Sequence, residues 1–454
     1  MSILFRNITL VPMDPECGRS AADPSDISCL GRNRTDPSVS CPVIENAFVL
    51  VEGEKIAYVG TVPPEISADQ IIDGRHRVLM PGLINAHTHV PMTALRGYAD
   101  DYDLQTWLNQ YIFPAEDKLN REIVSCFINL ALAEMISSGT TSISDMYFFC
   151  DLIAASVVDA GMKANITRAI ACMDEDFDLS SYHSSKEMIE LVGKWHGYDN
   201  NRIVIEAGIH AEYTSNPKVW SPVAEYAASH RLGMQVHLSE TRAEHENCIV
   251  KYGMTPAAVL SKYGVFDVPA LAAHCVWVSK EDMALLAEKG VSAVNNPVSN
   301  MKLASGIAPV SEMLVAGVNV ALGTDGVASN NSHDMFEEIK AAALAQKARK
   351  LDPLALTAGD ALRMATVNGA KAQRRERECG MVRPGMDADL IMLDFDKPHL
   401  TPCHNVVSNL VYSARGSDVV MNMVRGKIIY KEGEFLTLDI EKVKYDVRKA
   451  AEIF

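Results

Sequence analysis

The segment Val78-Leu79-Met80-Pro81-Gly82-Leu83-Ile84-Asn85-Ala86-His87-Thr88-His89 indicates how the chain folds. An apolar run leads into a turn-prone Pro-Gly pair, and a second short apolar strand then ends in two histidines. Because positions i and i+2 of a strand face the same side, His87 and His89 direct two imidazoles to one place. Imidazole is the commonest metal ligand, so the pair predicts half of a metal site. The alternative is a polar loop that contains two histidines.

From Pro81 onward, short apolar strands alternate with helical segments, which is the pattern of a parallel α/β domain. A helix is predicted from Arg121 to Ser138, where apolar residues recur at helical spacing before Gly139. The predicted strands cover residues 83–89, 141–145, 163–168, 202–210, 233–238, 270–274, 291–295 and 318–325. Eight strands with helices between them predict a (β/α)8 TIM barrel over residues 81–377.

The two ends of the chain have a different, all-β pattern. The predicted strands and hairpins lie at residues 1–12, 47–60, 71–80, 381–394 and 419–430, and a closing helix is predicted from Ile440 to Ile453. Residues 13–44 are polar and read as a long loop. We predict that residues 1–80 and 378–454 together form a small β-sandwich domain beside the barrel.

Polar residues fall at or just after the ends of the predicted barrel strands. They are His87, His89, Asp145, Arg168, His210, His237, His274 and Asp325. In a (β/α)8 barrel the C-terminal strand ends carry the functional site, so residues from distant parts of the chain meet there. This regular placement favours a site over the polar-loop alternative.

Length and charge limit the classes of partner. A chain of 454 residues exceeds one ordinary core, so we expect a large domain with a smaller one attached. Its net charge of −16 repels phosphate backbones and argues against nucleic-acid binding. No apolar run is long enough to span a membrane, and the N-terminus reads as a strand rather than a signal peptide. We therefore expect a small-molecule substrate, no nucleic acid, no membrane and a homo-oligomer.

The ten cysteines are scattered and include no Cys-x-x-Cys pair. This usage favours reduced thiols and a cytoplasmic location. Cys17, Cys29 and Cys41 recur at equal spacing in the polar stretch. They could form a three-cysteine metal site, or they could belong to a surface loop.

Several motifs resemble the amidohydrolase superfamily, in its branch of mononuclear-metal aminohydrolases and chlorohydrolases. They are Pro-Gly-Leu-Ile-Asn-Ala-His87-Thr-His89, Val-His237-Leu-Ser-Glu240, Ala-Ala-His274-Cys, Asn-Pro-Val-Ser299-Asn300 and Leu-Gly-Thr-Asp325-Gly. The segments His89-Val-Pro-Met-Thr-Ala-Leu-Arg96-Gly and Phe113-Pro-Ala-Glu116-Asp are similar to the 5′-methylthioadenosine/S-adenosylhomocysteine deaminases. The resemblance covers nearly the whole chain and implies the same barrel and split β domain.

The resemblance implies a metal site made of three histidines and one carboxylate. The implied ligands are His87, His89, His237 and Asp325. Such a set of ligands leaves one position on the metal ion for water, and the ion lowers the pKa of that water to about 7. In dinuclear relatives a lysine at the end of the fourth strand carries a carbamate that bridges two metal ions. This chain has His210 there instead, which favours one divalent ion over two. We expect Zn²⁺, with Fe²⁺ or Mn²⁺ as alternatives.

The resemblance also implies catalytic roles for three residues. Glu240 would take a proton from the attacking water and give it to a ring nitrogen, which suits a glutamate whose pKa is raised by burial. His274 would contact the attacking hydroxide beside Asp325. The alternatives are a surface glutamate for Glu240 and a core histidine for His274.

The implied substrate-binding residues are Glu116, Arg168, His210, Trp107, Ser299 and Asn300. Glu116 would accept hydrogen bonds from two ribose hydroxyls, or else it simply begins a helix. His210 would reach the purine, and Arg168 matches the first of two arginines that bind the carboxylate of S-adenosylhomocysteine.

The chain departs from this deaminase pattern in two places. No second arginine occurs in residues 169–201, where an acidic run from Asp174 to Asp178 would repel a substrate carboxylate. The family's Pro-His-Ser/Ala-Pro-Tyr reads Ile209-His210-Ala211-Glu212-Tyr213 here. Both departures place S-adenosylhomocysteine behind 5′-methylthioadenosine, 5′-deoxyadenosine and adenosine as a substrate.

Three functions follow from these observations. The first is hydrolytic deamination of a 6-aminopurine nucleoside. The second is deamination or dechlorination of another N-heterocycle, such as a free purine, a pterin or a triazine. The third is a non-catalytic metal-binding barrel, because a fold alone does not establish a function. A cytidine-deaminase-type zinc site is excluded, because His210-Ala211-Glu212 lacks the Pro-Cys-x-x-Cys that this site requires.

Overall fold

The structure is a computed structural model that describes residues 1–14 and 41–454. Most of the predicted 13–44 loop, including Cys17 and Cys29, lies outside the described residues, and so does the question of a three-cysteine metal site. Cys41 is buried, and its Sγ lies 3.7 Å from Met13 Sδ.

Seventeen strands are described. In chain order they are β1 (Ser2–Leu10), β2 (Ile44–Glu52), β3 (Lys55–Gly60), β4 (Gln70–Asp73), β5 (Arg77–Pro81), β6 (Leu83–Thr88), β7 (Thr140–Met146), β8 (Lys163–Thr167), β9 (Ile203–Gly208), β10 (Met234–Leu238), β11 (Ala270–His274), β12 (Ser292–Asn295), β13 (Asn319–Leu322), β14 (Leu390–Asp394), β15 (Val419–Val424), β16 (Lys427–Lys431) and β17 (Glu434–Phe435).

The eight strands β6 to β13 form one sheet in sequence order, and the strand pairs described within it are parallel. A parallel bridge between Thr88 and Asp325 brings the ends of the first and last strands together. Most residues of these strands are buried, as expected for parallel strands covered on both faces. The predicted (β/α)8 barrel is confirmed.

The second sheet contains nine strands from both ends of the chain. Its order is β17-β16-β15-β14-β5-β1-β2-β3, and β4 also pairs with β1. Antiparallel pairing of β5 with β14, with Met80 opposite Ile391, joins the N-terminal strands to the C-terminal strands. The apolar side chains of Phe5, Ile8 and Met392 contribute to its buried core. The predicted separate β domain from both chain ends is confirmed as this mixed sheet.

The α-helices are α1 (Leu104–Thr106), α2 (Phe113–Glu116), α3 (Arg121–Ser137), α4 (Cys150–Ala160), α5 (His183–Trp195), α6 (Tyr198–Asn201), α7 (Pro217–His230), α8 (Arg242–Tyr252), α9 (Pro256–Lys262), α10 (Lys280–Glu288), α11 (Pro297–Lys302), α12 (Val310–Val315), α13 (Val327–Asn330), α14 (Met335–Lys350), α15 (Ala358–Met364), α16 (Val367–Ala372), α17 (Val406–Tyr412) and α18 (Ile440–Ala450). A π-helical turn, Trp107–Ile112, joins α1 to α2. The 3₁₀ turns are Val90–Leu95, Glu212–Thr214, Pro398–Leu400, Gly416–Asp418 and Ala451–Ile453. Within the described residues, none of these helices has the length and apolarity needed to cross a membrane.

Two of these helices illustrate how local sequence sets the elements. Helix α3 ends where the sequence predicts, because Gly139 adopts a left-handed backbone with φ +96° that L-residues rarely take. Helix α8 begins with a capping box, in which Thr241 accepts from the backbone N–H of Glu244 and Glu244 accepts from the N–H of Thr241.

The chain divides into two compact units. One comprises residues 1–84, 133–141 and 334–437, and the other comprises residues 85–132, 142–333 and 438–454. The first unit contains the nine-stranded sheet together with helices α14 to α17. The division at residues 81 and 377 stays a prediction.

Candidate active site

A cavity of about 220 Å³ lies at the C-terminal ends of the barrel strands. Most of the predicted site residues line it: His89, Trp107, Glu116, Arg168, His210, His237, Glu240, His274 and Asp325. The other predicted residues, His87, Ser299 and Asn300, are buried and contact members of this lining. The strand-end pattern therefore brings these side chains into one region.

Three imidazoles and one carboxylate converge in this cavity. Asp325 Oδ1 lies 3.1 Å from His89 Nε2 and 3.4 Å from His87 Nε2. His237 Nε2 lies 3.3 Å from His89 Nε2. The ring of His274 is 5.6 Å from that of His87, and His87, His237 and His274 also have ligand atoms close enough to share an ion. The cluster therefore offers several neighbouring donors and one negative charge.

The surrounding backbone holds the rings in this arrangement. His89 Nδ1 is 2.5 Å from the carbonyl oxygen of Met146, and His237 Nδ1 is 2.8 Å from that of His210. Because a carbonyl can only accept, Nδ1 of each ring donates and Nε2 is left to face the cluster. Metal-binding histidines commonly have such a carbonyl partner.

The buried side chain of His87 indicates whether a cation fits between the histidines and Asp325. Its side chain is completely buried, and within the described residues neither Nδ1 nor Nε2 makes a hydrogen bond. A buried polar atom without a partner is costly, so such atoms in a native fold call for an explanation. A cation among the histidines and Asp325 would satisfy Nε2 of His87. The residues present therefore fit the implied metal ion.

The protonation states of the cluster agree with this fit. Burial lowers the pKa of His87 to about 4 and that of His237 well below its usual value, so both rings are neutral at pH 7, as metal ligands must be. Burial lowers the pKa of His89, but the hydrogen bond with Asp325, the charges of Asp325 and Asp145 and the Met146 carbonyl together outweigh burial and raise that pKa to about 9. A proton on His89 and a divalent cation are thus alternative ways to balance the Asp325 carboxylate.

Two serines bind the other oxygen of Asp325. Ser299 Oγ donates to Asp325 Oδ2 at 2.7 Å, and Ser329 Oγ donates to the same atom at 2.9 Å. Oδ1 is therefore the oxygen that faces the histidines. Ser299, predicted to bind substrate, is itself fully buried against Asp325.

Glu240 and His274 lie together at the edge of the cluster. Glu240 Oε2 is 3.7 Å from His274 Nε2, and Oε1 accepts from Ser305 Oγ at 3.3 Å. Burial raises the pKa of Glu240 above its ordinary value, which suits a group that gains and releases a proton. Asn300 accepts from His274 Nδ1 at 2.9 Å and so orients the ring toward Glu240.

Strained backbone marks the same strand ends. Ser239, His274 and Asp325 have φ of +47°, +74° and +62°, values that non-glycine residues seldom adopt. Such strain persists only where the surrounding structure imposes it, and it clusters at functional sites. Each of these residues is, or immediately precedes, a predicted catalytic residue.

Glu116 lies in the part of the cavity wall that α2 and the preceding π-helical turn supply, at the end of α2. Its Oε1 accepts a hydrogen bond from the Tyr147 hydroxyl. Burial raises the pKa of Glu116 to about 7. Trp107, also on this wall, donates its indole N–H to the carbonyl of Ala99 at 3.1 Å and so offers its ring face or edge rather than a free donor.

Arg168 is the only arginine or lysine among the described residues that line the cavity. Its Nε donates to Glu187 Oε2 at 2.5 Å, and its Nη1 donates to the carbonyl of Ala169 at 2.8 Å. Its guanidinium lies over the ring of Phe148, 4.9 Å from the centroid. The cation is therefore already paired with a carboxylate on α5.

His210 completes the predicted set. Its ring centroid is 4.7 Å from that of His237, and its Nδ1 is 3.0 Å from Thr214 Oγ1. Burial lowers the pKa of His210 to about 4, so the ring is neutral.

Among the residues that the sequence interpretation missed, three make contacts that bear directly on the proposed roles. Tyr147, Glu187 and Ser329 respectively contact Glu116, Arg168 and Asp325. Only Tyr147 had a usable signal, because it directly follows strand β7 and so obeys the strand-end rule. Glu187 and Ser329 lie on helices, and the sequence does not show which positions of these helices face the residues of the site.

The barrel, the cavity at its strand ends and the cluster that could hold a cation can be compared with known proteins. The comparison identifies the family of proteins to which the chain belongs. The family model described as the amidohydrolase family matches residues 78–429. The chain belongs to the amidohydrolase family.

Several individual deaminases are similar to the chain over most of its length. The chain is 46% identical over 410 residues to a 5-methylthioadenosine/S-adenosylhomocysteine deaminase of Thermoanaerobacter pseudethanolicus, covering 90% of this chain and 95% of that protein. It is 44% identical over 451 residues to a 5′-deoxyadenosine deaminase of Methanosarcina mazei, covering 99% and 98%. A crystal structure of an adenosine deaminase from Xanthomonas campestris with bound zinc superposes with a TM-score of 0.88 at 32% identity, covering 99% and 98%. The resemblance stated from the motifs is confirmed.

Proposed function

We propose that this protein is a hydrolytic deaminase of 6-aminopurine nucleosides, which releases ammonia and leaves the inosine analogue. The observation that carries the proposal is one cavity lined both by a cation-ready cluster beside Glu240 and by the Glu116 carboxylate. The cluster with Glu240 suits hydrolysis of an amino group on an aromatic ring, and the Glu116 carboxylate suits the two hydroxyls of a ribose. The names of the relatives support the same reaction class.

His87, His89, His237 and Asp325 would hold one divalent metal ion. Their neutral imidazoles and single free carboxylate oxygen suit Zn²⁺ best, with Fe²⁺ or Mn²⁺ as alternatives. The zinc in the similar adenosine deaminase supports this choice. When bound, such an ion makes a water molecule acidic enough to act as a nucleophile near neutral pH.

Glu240 would carry the proton through the reaction. Its carboxylate accepts a proton from the attacking water and delivers it to the purine ring nitrogen next to the carbon under attack. A second proton, taken from the hydroxyl group now on that carbon, passes to the exocyclic amine; the C–N bond then breaks, ammonia leaves and the oxygen remains as the ring carbonyl. His274 would orient the attacking oxygen beside Asp325, because Asn300 fixes its ring and leaves Nε2 facing the cavity side of Glu240.

Glu116 and Tyr147 would bind the sugar, and His210 would bind the base. A carboxylate has about four lone-pair positions, so Glu116 can accept from Tyr147 and still accept from two hydroxyls. Neutral His210 can offer Nε2 to the purine edge, because Thr214 occupies Nδ1. Trp107 contributes an apolar surface to the same wall. Ser299 and Asn300 would act by holding Asp325 and His274.

Arg168 and Glu187 support the order of substrates proposed from the sequence. A carboxylate on the substrate would have to compete with Glu187 for the one cationic side chain of the described lining. We therefore place 5′-methylthioadenosine, 5′-deoxyadenosine and adenosine ahead of S-adenosylhomocysteine.

The remaining expectations stay part of the proposal. A small-molecule substrate is supported by the cavity, and a cytoplasmic location by the cysteines, which form no disulfide within the described residues. A homo-oligomer that binds no nucleic acid is proposed from composition and charge alone.

Ammonia release from a panel of compounds tests the function. The panel contains 5′-methylthioadenosine, 5′-deoxyadenosine, adenosine, S-adenosylhomocysteine, free adenine, a pterin and a triazine. We expect turnover of the first three, with kcat/KM at least about tenfold lower for S-adenosylhomocysteine. Activity on free adenine, the pterin or the triazine, with none on nucleosides, would replace the proposal by the second function. No ammonia from any compound with the metal-loaded protein would favour a non-catalytic barrel.

Glu187→Gln tests the substrate order separately. Removing the competing charge should raise kcat/KM for S-adenosylhomocysteine relative to 5′-methylthioadenosine. Glu190→Gln is the matched control, because Glu190 is on the same helix and, within the described residues, makes no hydrogen bond or ion pair with Arg168. An unchanged ratio in Glu187→Gln would show that the ion pair does not set the preference.

A further inference from the structure

Glu212 is a buried acid that the reaction described above does not use. It opens the 3₁₀ turn after strand β9, between His210 and Tyr213, and is only 2% exposed. Its Oε2 has no hydrogen-bond partner within the described residues. A buried carboxylate oxygen without a donor is destabilising, whereas a protonated oxygen in the same place can itself donate.

Glu244 is a second buried acid on the neighbouring helix. It stands in the first turn of α8 and is 6% exposed. Its Oε1 accepts from the backbone N–H of Ser239 at 2.8 Å, and its Oε2 accepts from those of Glu240 at 2.7 Å and Thr241 at 3.3 Å. One carboxylate thus holds three consecutive backbone donors, and the middle one belongs to the proposed proton carrier.

Ser239 explains why this segment requires such support. Its φ of +47° is a left-handed conformation that non-glycine residues seldom adopt. Its carbonyl accepts from the N–H groups of Val276 and Trp277, so both sides of the residue are bonded. Without Glu244, the strained bend would lose the acceptor for its own N–H and for that of Glu240.

Glu212 and Glu244 lie within hydrogen-bond reach of each other, since α8 packs against the turn that contains Glu212. Glu240, Tyr213, Cys248 and Cys275 are titratable neighbours that cannot carry positive charge, and the charge of Glu244 also acts on the ring of His274. Burial raises the pKa of both carboxyl groups, and the charge of Glu244 raises the pKa of Glu212 further. The proton belongs mainly to Glu212, because three backbone N–H groups stabilise the charge of Glu244, whereas Glu212 Oε2 has no donor among the described residues.

We infer that Glu212 and Glu244 share one proton as a carboxylic acid–carboxylate pair, and that this pair positions Glu240. The Glu212 hydroxyl donates to Glu244, which gives the buried Glu212 oxygen its missing partner. Glu244 remains ionised and keeps all three backbone hydrogen bonds. Glu212 and Glu244 are positioning residues, because they act on the reaction only through the backbone of Glu240.

The consequence for the reaction rests on the proposed role of Glu240. A proton carrier must lie within hydrogen-bond reach of both the water and the ring nitrogen, and small displacements lower the rate steeply. Loss of the pair should therefore lower kcat far more than it changes KM, because Glu244 is bonded to the backbone of Glu240 and not to the side chains proposed to bind the base or the ribose.

The first test measures the proton itself. Infrared difference spectra between the wild type and Glu212→Gln are recorded at about pH 8, well above the ordinary glutamate pKa of about 4.3. We expect the wild type to show the carbonyl stretch of one protonated carboxylic acid, shifted in D₂O and absent from the variant. No such band would overturn the shared proton. This readout requires no turnover, so it stands even if the proposed function fails.

The second test uses kinetics on whichever nucleoside the wild type deaminates. Glu212→Gln keeps a neutral donor to Glu244 and should retain kcat within about threefold, whereas Glu212→Ala should lower kcat about 10- to 100-fold with KM changed much less. Glu246→Gln is the matched control, since Glu246 is exposed on α8 and paired with Arg242, and it should change neither value. Metal content should equal that of the wild type in all three variants.

Three outcomes would overturn the positioning role. They are wild-type kcat in folded Glu212→Ala, an equally large loss in Glu212→Gln, and a rise in KM that accounts for the whole loss. If Glu212→Ala does not fold, Glu244→Gln replaces it. That variant keeps the side-chain size but loses the charge that accepts three N–H groups, and unchanged kcat there would also refute the inference.

Discussion

Replacing Glu116 by alanine tests how the cavity binds a sugar. Glu116 accepts from Tyr147 and lines the same cavity as the histidine cluster. A hydrogen bond to a charged group contributes about 1.5–3 kcal/mol, and two hydroxyls would share a carboxylate already bonded to Tyr147. We therefore expect Glu116→Ala to cost about 2–4 kcal/mol in kcat/KM on nucleosides. That cost corresponds to a loss of roughly 30- to 1,000-fold.

The assay compares a nucleoside with its 2′,3′-dideoxy analogue, and both are followed by ammonia release. The loss should appear on the nucleoside and be small on the analogue, which has no hydroxyls for Glu116 to bind. Tyr147→Phe is a useful control, because it removes the hydroxyl that holds the carboxylate but leaves the carboxylate in place, so its loss should be smaller. Equal losses of Glu116→Ala on both substrates would remove Glu116 from the sugar site.

Four further results are expected. Elemental analysis should find one tightly held divalent metal per chain, and a reproducible value near two, with activity lost on dropping to one, would contradict the mononuclear site. His237→Ala should lose both metal and activity, since the ion would keep only three of its four proposed ligands. Glu240→Gln should keep its metal but lose most of kcat, because an amide cannot carry a proton, and near wild-type kcat would refute that role. As the pH falls through about 7, kcat/KM on nucleosides should decrease, because burial raises the pKa of Glu116 to about 7 and protonation removes an acceptor; Glu116→Gln should abolish this dependence.

The fold could be predicted because its signals are local. Apolar runs of strand length and helical spacing can be read from short windows, as for β6 and α3, and the barrel follows from their number and order. The approximate location of the site followed as well, because one rule assigns every strand end to the same face.

The contacts within the site could not be predicted in this way. Which oxygen of Asp325 faces the histidines depends on Ser299 and Ser329, whose side chains meet it across separate elements. The pairing of Arg168 with Glu187 likewise depends on how α5 lies over the end of β8. Such contacts are set by tertiary packing and side-chain rotamers, which leave no periodic trace in the sequence.

The junction between the first and last barrel strands has a consequence for how the protein is made. The N–H of Asp325 donates to the carbonyl of His87, so the contact that closes the barrel also joins two of the proposed ligands. During translation His87 and His89 leave the ribosome long before Asp325, and contacts between such distant segments form late. A chain that stops before the last strand cannot complete the cluster. Metal uptake is therefore expected to report that synthesis of the barrel is finished.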